Sequence, residues 1–233
     1  PSPNCFAPPP GGAFLKMRFP KLKEAEFLER LNRFVGRIRI GGKEYTAYIR
    51  NTGRLPELLL SGNKVYVCER SSGKHPYEII LSEKNSTLVC IDSHITPKLF
   101  AENLNGHEIA FEPRFDSSRF DLLLDGRPVE VKSVNLVEDG IGLFPDAPTE
   151  RGRKHIEKLI ELSKRGFKPL VVFVVQREDA IAFSPNWKTD RAFSEALVRY
   201  VSRGLEVRAY RCTVSLEEIK LKDEIPIVLE ERL

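Results

Sequence analysis

Between Arg119 and Lys132 the chain reads Arg-Phe-Asp-Leu-Leu-Leu-Asp-Gly-Arg-Pro-Val-Glu-Val-Lys. Asp125-Gly126, set between two alternating runs, predicts a two-residue β-hairpin loop. With those residues as the loop, Leu124 faces Arg127, Leu122 faces Val129, Asp121 faces Glu130 and Arg119 faces Lys132. Strand side chains alternate, so Phe120, Leu122, Leu124, Val129 and Val131 form the core face. Arg119, Asp121, Glu130 and Lys132 share the opposite one.

That second face is electrostatically unusual. Side chains directly opposed across a ladder sit roughly 4.5–5.5 Å apart at Cβ, where like charges destabilise the pair. Two opposed carboxylates with a lysine two residues along suggest a site for a hard divalent cation, magnesium or manganese. Such an ion takes oxygen ligands from one or two carboxylates and leaves positions for water and phosphate. Without a ligand, the same face reads as a solvated hairpin surface whose acids are neutralised by Arg119 and Lys132.

The 233 residues are enough for two modest domains with cores of their own. No apolar run approaches the roughly 20 residues of a membrane span, and no secretory signal is recognisable, so no membrane role is expected. Cys5, Cys68, Cys90 and Cys212 are widely spaced with no Cys-x-x-Cys pair. They argue against a zinc ribbon and for reduced, mostly buried thiols in a cytoplasmic protein. A single Gln among many Lys, Arg and Glu fits a heat-adapted, thermostable protein. Residues 17–95 carry 14 Lys/Arg against 9 Asp/Glu. A basic first half beside an acidic pocket suits a polyanion held by one and presented to the other.

Residues 1–16, rich in Pro and Gly, read as a disordered tail or an appended extension. Residues 17–95 read as all-β. Phe34–Ile40 and Glu44–Ile49 alternate about Gly41-Gly42, and further strands fall at 64–69, 77–81 and 88–91. Some five short strands match a small oligonucleotide-binding (OB-like) barrel. Arg37, Arg39, Arg50 and Arg54, with Tyr45 and Tyr48, offer cations and stacking rings for nucleic acid. With no ligand, the tyrosines pack the barrel and the arginines are solvated.

The domain boundary is placed at residues 95/96, with 96–233 as the second domain. Thr96-Pro97 opens a short helix, and Glu108–Phe115 is expected as a strand carrying Glu112. Asp146 or Thr149 caps a helix running to about Arg165, closed by Gly166. Arg151, Lys154, Lys158 and Arg165 trace a basic stripe along it, suited to phosphates. Leu170–Val175 is apolar throughout, the mark of a strand covered on both faces. Phe183–Trp187 reads as a loop, 190–203 as a helix, 205–212 as a strand and 215–220 as a turn or short helix. Together these describe an α+β chain of two domains, the second a mixed sheet flanked by helices.

Asp121 followed by Glu130-Val-Lys132 across a hairpin resembles the core of the PD-(D/E)XK nuclease superfamily. Asn51-Thr-Gly53, Ser118-Arg-Phe-Asp121, Glu130-Val-Lys-Ser-Val134, Phe144 to His155 and Phe183-Ser-Pro185 resemble the sugar fermentation stimulation protein family, SfsA. The resemblance implies an OB-like barrel followed by a restriction-endonuclease-like domain, and DNA as partner, with a regulatory part in sugar catabolism. It further implies Asp121, Glu130 and Glu112 as ligands of magnesium or manganese. In that resemblance Lys132 would orient water or stabilise developing charge. From their positions in the sequence, Arg119, Arg151 and Lys154 are further candidates for binding nucleic-acid phosphates. A metal-dependent nuclease and a DNA-binding regulator that does not cut both remain open, and nothing in the sequence excludes RNA.

Overall fold

The computed structural model describes residues 15–231. The tail expected over residues 1–16 lies outside them except at its end, and so does Cys5. Strand β1 (Lys16–Arg18) opens the described chain and corrects the expected start of the barrel. It pairs antiparallel with the last strand of the second domain, Lys16 opposite Lys220 and Arg18 opposite Glu218. Three residues show no readable periodicity, and their partner lies about two hundred residues away.

The barrel follows in β2 (Lys23–Asn32), β3 (Val35–Ile40), β4 (Lys43–Ile49), β5 (Lys64–Glu69) and β6 (Tyr77–Lys84). These run in the order β4-β3-β2-β5-β6, and a parallel pairing of β4 with β6 closes the ring. Phe27, Ile38, Ala47, Ile49, Val65, Val67 and Ile79 fill it, each an inward position of an alternating strand. Strand β7 (Thr87–Cys90) leaves the barrel and leads to α1 (Thr96–Ala101).

The second domain continues with β8 (Ile109–Phe111), β9 (Arg114–Phe115), β10 (Ser118–Arg119), β11 (Leu122–Leu124), β12 (Arg127–Val134), β13 (Leu136–Glu138) and β14 (Ile141–Phe144). Then come α2 (Glu150–Lys164), β15 (Leu170–Val175), β16 (Ala182–Pro185), α3 (Arg191–Ser202), β17 (Glu206–Val214) and β18 (Glu218–Glu224). A seven-stranded mixed sheet runs β1-β18-β17-β15-β12-β11-β8, and β13-β14-β16 form a small sheet beside it. At its centre β15 lies parallel to both β12 and β17. All six of its residues are buried, as an apolar run covered on both faces requires.

The two faces of the large sheet have different covers. Leu122, Leu124, Val129, Val131, Val172 and Val174 pack with α1 and with Tyr66, Ile80 and Leu81 on the outside of the barrel. Phe120, Val134, Val171, Phe173 and Val175 pack under α2 and α3. Thr149 and Asp190 cap those two helices, accepting from Gly152 N and Phe193 N. Cys68, Cys90 and Cys212 are buried free thiols. Among the described residues no helix is long and apolar enough to cross a membrane.

Four local expectations are corrected. Glu108–Phe115 is not one strand, because Glu112 sits at φ 55° and divides it. Residues 182–185 are strand β16 rather than loop, since they pair parallel with β14. Of the turn or helix expected at 215–220, the turn is confined to 215–217, and residues 218–220 begin β18, paired with β17. Phe120 leaves the apolar face of its hairpin for the helix side of the sheet. For β16 the deciding partner is distant in sequence, Phe183 pairing with Gly142.

The barrel and the sheet are joined by buried amides. Asn51 Nδ2 donates to Ile91 O (2.8 Å) and to Asn135 Oδ1 (3.0 Å), while Asn135 Nδ2 donates to Cys90 O (2.7 Å). Gln176 Nε2 donates to Asp92 O at 2.9 Å. Gly53 closes the same joint, because a Cβ there would lie 2.6 Å from Asp146 Oδ2, which accepts from Leu55 N at 2.9 Å. Asn135→Ala removes the buried bonds to Asn51 and to Cys90 O that tie the sheet to the barrel. It should lower stability by on the order of 2 kcal/mol in urea denaturation. An unchanged midpoint would mean that this joint does not hold the domains.

Candidate metal centre in the cleft between barrel and sheet

The central hairpin turns where expected. Asp125 and Gly126 take φ values of 47° and 79°, the left-handed pair that a tight hairpin loop needs. Leu124 pairs with Arg127 and Leu122 with Val129, the predicted register. Alternation along β12 then turns Glu130 and Lys132 to the side of Val134, which faces α2.

The ladder stops at Leu122, which changes how Asp121 meets Glu130. Asp121 O accepts from Glu112 N at 2.9 Å, and Asp121 Oδ2 accepts from Val131 N at 2.8 Å. The aspartate side chain thus occupies the place of a ladder bond and lies beside Glu130, instead of opposing it as a strand partner. Arg119 is not opposite Lys132. It belongs to a separate small hairpin, where it pairs with Arg114, and its guanidinium lies 3.4 Å from Glu112. The positive φ of Glu112 and Asp116 (55° and 54°) bends that segment away from the sheet.

Glu130 is the deepest charge of the site, 3% exposed. Its Oε1 accepts from Lys132 Nζ and lies 2.6 Å from His155 Nδ1. Burial alone would raise the pKa of this carboxyl. The Lys132 cation and His155 more than offset that, and the net shift is downward. Glu130 Oε2 is buried with no hydrogen-bond partner. Burial and the neighbouring Glu130 charge push the Asp121 carboxyl up to about 7, against the pull of Lys132 and the Val131 N–H.

These groups floor a cleft of about 340 Å³. Arg33 and Asn51 to Gly53 line it from the barrel, and Asp146, Thr149, Arg151 and His155 from α2 and the loop before it. Arg119 and Glu112 stand at its mouth. The other expected contacts are spread more widely. Arg37 pairs with Glu29 (2.9 Å) and Arg39 with Glu26 (2.8 Å) on the barrel wall. Arg50 pairs with Glu78 at 2.8 Å and lines a different cavity. Lys154 pairs with Glu150 at 2.7 Å in a groove adjoining Arg119 and Arg151. Arg54 is exposed, and its carbonyl accepts from Arg30 at 2.6 Å.

His155 was not among the residues expected here. Gly152, His155, Ile156 and Leu159 follow one helical stripe, and the other three are buried. A histidine on the inward stripe of a capped helix is the signal that marked it. Asn51 and Asp146 fall within the family motifs, but those motifs did not show their role, because Asn135 and Leu55 N, their partners here, come from the other domain.

The donor set suits a hard cation only in part. Among the described residues no three His, Cys, Asp or Glu side chains converge as a ligand group. Glu112, expected as the third ligand, is turned to Arg119. Two carboxylates with one orphaned buried oxygen fit magnesium or manganese, ions that fill the rest of their shell with water and phosphate oxygens.

Family models match both halves of the chain. The model described as the SfsA N-terminal OB domain covers residues 28–91, and that of the sugar fermentation stimulation protein RE domain covers residues 89–218. The sugar fermentation stimulation protein homolog of Aquifex aeolicus is 52% identical, over 88% of this chain and 97% of its own. That of Desulforamulus reducens is 39% identical, over 92% and 96%. Pyrococcus furiosus SfsA, solved in complex with Ca2+, superposes with a TM-score of 0.83 at 32% identity, covering 92% of this chain and 99% of that one.

The raised Asp121 pKa has a definite sign. A carboxyl moved from 3.8 to about 7 favours the folded state below about pH 4, and that contribution is lost as pH rises through 7. Asp121→Asn removes the titration. Relative to the parent, the variant should gain on the order of 1–4 kcal/mol near pH 8, with the gap closing towards pH 5. Urea denaturation at the two pH values measures it, and an equal difference at both would remove Asp121 from a buried, charge-coupled position.

Proposed function

The chain belongs to the sugar fermentation stimulation protein family, and from that premise we propose that it is a DNA-binding protein with a divalent-metal-dependent phosphodiesterase site in the cleft. The observation that carries this reading is Glu130 Oε2, buried without a partner beside the Asp121 carboxyl and the Lys132 ammonium. An orphaned acceptor in that position is costly unless something cationic meets it. The Ca2+ with which Pyrococcus furiosus SfsA was solved is a divalent ion of the same hard class and supports the reading.

Asp121 and Glu130 would hold magnesium or manganese. Such an ion supplies Lewis-acid polarisation of a phosphodiester and activation of a water. His155 fixes Glu130 through Oε1 and leaves Oε2 to the cleft. The Val131 N–H orients Asp121. Lys132 keeps a cation where negative charge grows in the transition state, and there it acts more strongly than in the ground state. Arg33, Arg119 and Arg151 border the cleft and neutralise backbone phosphates, so binding falls steeply with salt.

A second reading, a DNA-binding regulator that does not cut, is favoured by one observation. Glu130 is already paired with Lys132, and Glu112 at the cleft mouth is paired with Arg119. Single-turnover digestion of labelled single- and double-stranded DNA, with an RNA arm and with manganese, separates the two. Lys132→Met should lower the cleavage rate by about 100-fold or more while affinity stays within a few-fold. Asp121→Ala should abolish cleavage and the metal-dependent rise in melting temperature. Binding without cleavage under every metal and strand form would establish the regulator.

A further inference from the structure

Two aromatic rings stand on the barrel beside this cleft. Phe34, 41% exposed, occupies the turn between β2 and β3. Its ring stacks on Tyr48 of β4 with centroids 6.4 Å apart and planes 24° from parallel. The Arg33 guanidinium lies over Phe34 at 5.7 Å, and that of Arg70 lies over Tyr48 at 5.0 Å. A short column of two rings with a guanidinium over each therefore lies at the barrel surface.

Backbone pairing fixes the column. Tyr48 is the ladder partner of Val35, and Ile49 N donates to Phe34 O at 2.8 Å. Arg30 braces the turn from beneath, donating to Arg33 O at 2.7 Å and to Gly53 O at 2.9 Å. The same arginine thereby ties the aromatic turn to the Asn51–Gly53 loop that lines the cleft. Arg33 belongs to both places, lying over Phe34 and lining the cleft wall. One exposed phenylalanine is ordinary on a protein surface. A stacked pair, with cations over it and continuous with a cleft for phosphate chemistry, is not.

We propose that the Phe34–Tyr48 column, with Arg33 and Arg70, is a stacking subsite for an unpaired base of a single-stranded nucleic acid whose backbone continues into the Asp121–Glu130 cleft. The inference rests on the reading of that cleft as a nucleic-acid site and adds the strand form that it accepts. Planar guanidinium and aromatic groups present π-faces, against which any base stacks without sequence preference. A base held inside a duplex offers no free face to such a column, whereas an unpaired base does. A purely electrostatic surface for duplex backbone would need the arginines but not the rings.

Single-stranded and duplex binding respond differently to the loss of the ring. Fluorescence anisotropy of a labelled oligothymidylate of about 12 nucleotides, within the site size of such barrels, is compared with a duplex of the same length. Phe34→Ala should weaken single-strand binding roughly tenfold, the loss of one stacked base, and leave duplex binding within about twofold. Phe34→Trp keeps a stacking face. It should retain single-strand affinity, and its added indole emission should be quenched when the oligonucleotide binds. Unchanged single-strand binding by Phe34→Ala overturns the subsite while the cleft reading stands, as does equal weakening on both strand forms. An unquenched indole in a Phe34→Trp variant that still binds overturns it too. If the unmodified protein binds neither strand form, the cleft reading itself fails and this inference falls with it.

Discussion

Glu130 is a carboxylate removed from water, and the surrounding residues are placed to offset that removal. Taking a charge into a protein interior costs several kcal/mol unless partners replace its hydration. Lys132, two residues along the same strand, and His155, from the inward stripe of α2, both meet its Oε1. Strand β12 must therefore lie under α2, which holds only because β15 pairs with β12 and buries its other edge. The hairpin turn, the parallel core and the capped helix each carry one part of this arrangement. None of them serves it without the other two.

The partial satisfaction of Glu130 is the informative part. A buried ion pair is weak evidence of stability, because apolar residues of like volume often do as well. Lys132 and His155 both converge on one oxygen and leave the other empty. Evolution toward stability alone would satisfy both oxygens or remove the acid. Asp121 is also held there at a cost, since burial and the Glu130 charge raise its proton affinity. Two acids held close at a cost are what a cation site requires before its cation arrives.

Local chemistry made part of this legible in the sequence, and contacts between distant segments concealed the rest. The Asp125-Gly126 turn announced its own geometry, because both residues tolerate positive φ, and it carried the Leu122–Val129 register with it. The apolar run 170–175 announced a strand buried on both faces. The pattern of the acids was readable as a cluster, but its mechanism was not. A ladder was expected to extend to Arg119, and it ends at Leu122 because Glu112 N and Val131 N claim the Asp121 oxygens. His155 was visible as a polar residue on an inward stripe, yet its target lies 25 residues earlier in the chain. The arginines selected by proximity to tyrosines proved to be dispersed, since charge patterning along a strand does not say which wall of a barrel faces the partner domain.

Neutral and charged groups share the interface between barrel and sheet. At the joint the amides Asn51, Asn135 and Gln176 bond to one another or to backbone carbonyls, and a buried ion pair, Arg177 with Glu57 at 2.7 Å, crosses beside them. An amide needs a partner in a defined direction but carries no net charge to be desolvated, so it fixes register at small cost. Arginines instead collect at the open side, where Arg33, Arg119 and Arg151 keep access to water. A joint made of ion pairs would weaken in salt and would compete for the same phosphates as the cleft. Amides do neither, and the Arg177–Glu57 pair is buried, where salt screens it little. The geometry that sets the aromatic turn against Asp121 and Glu130 is therefore largely insulated from the electrostatics through which the cleft would take hold of a polyanion.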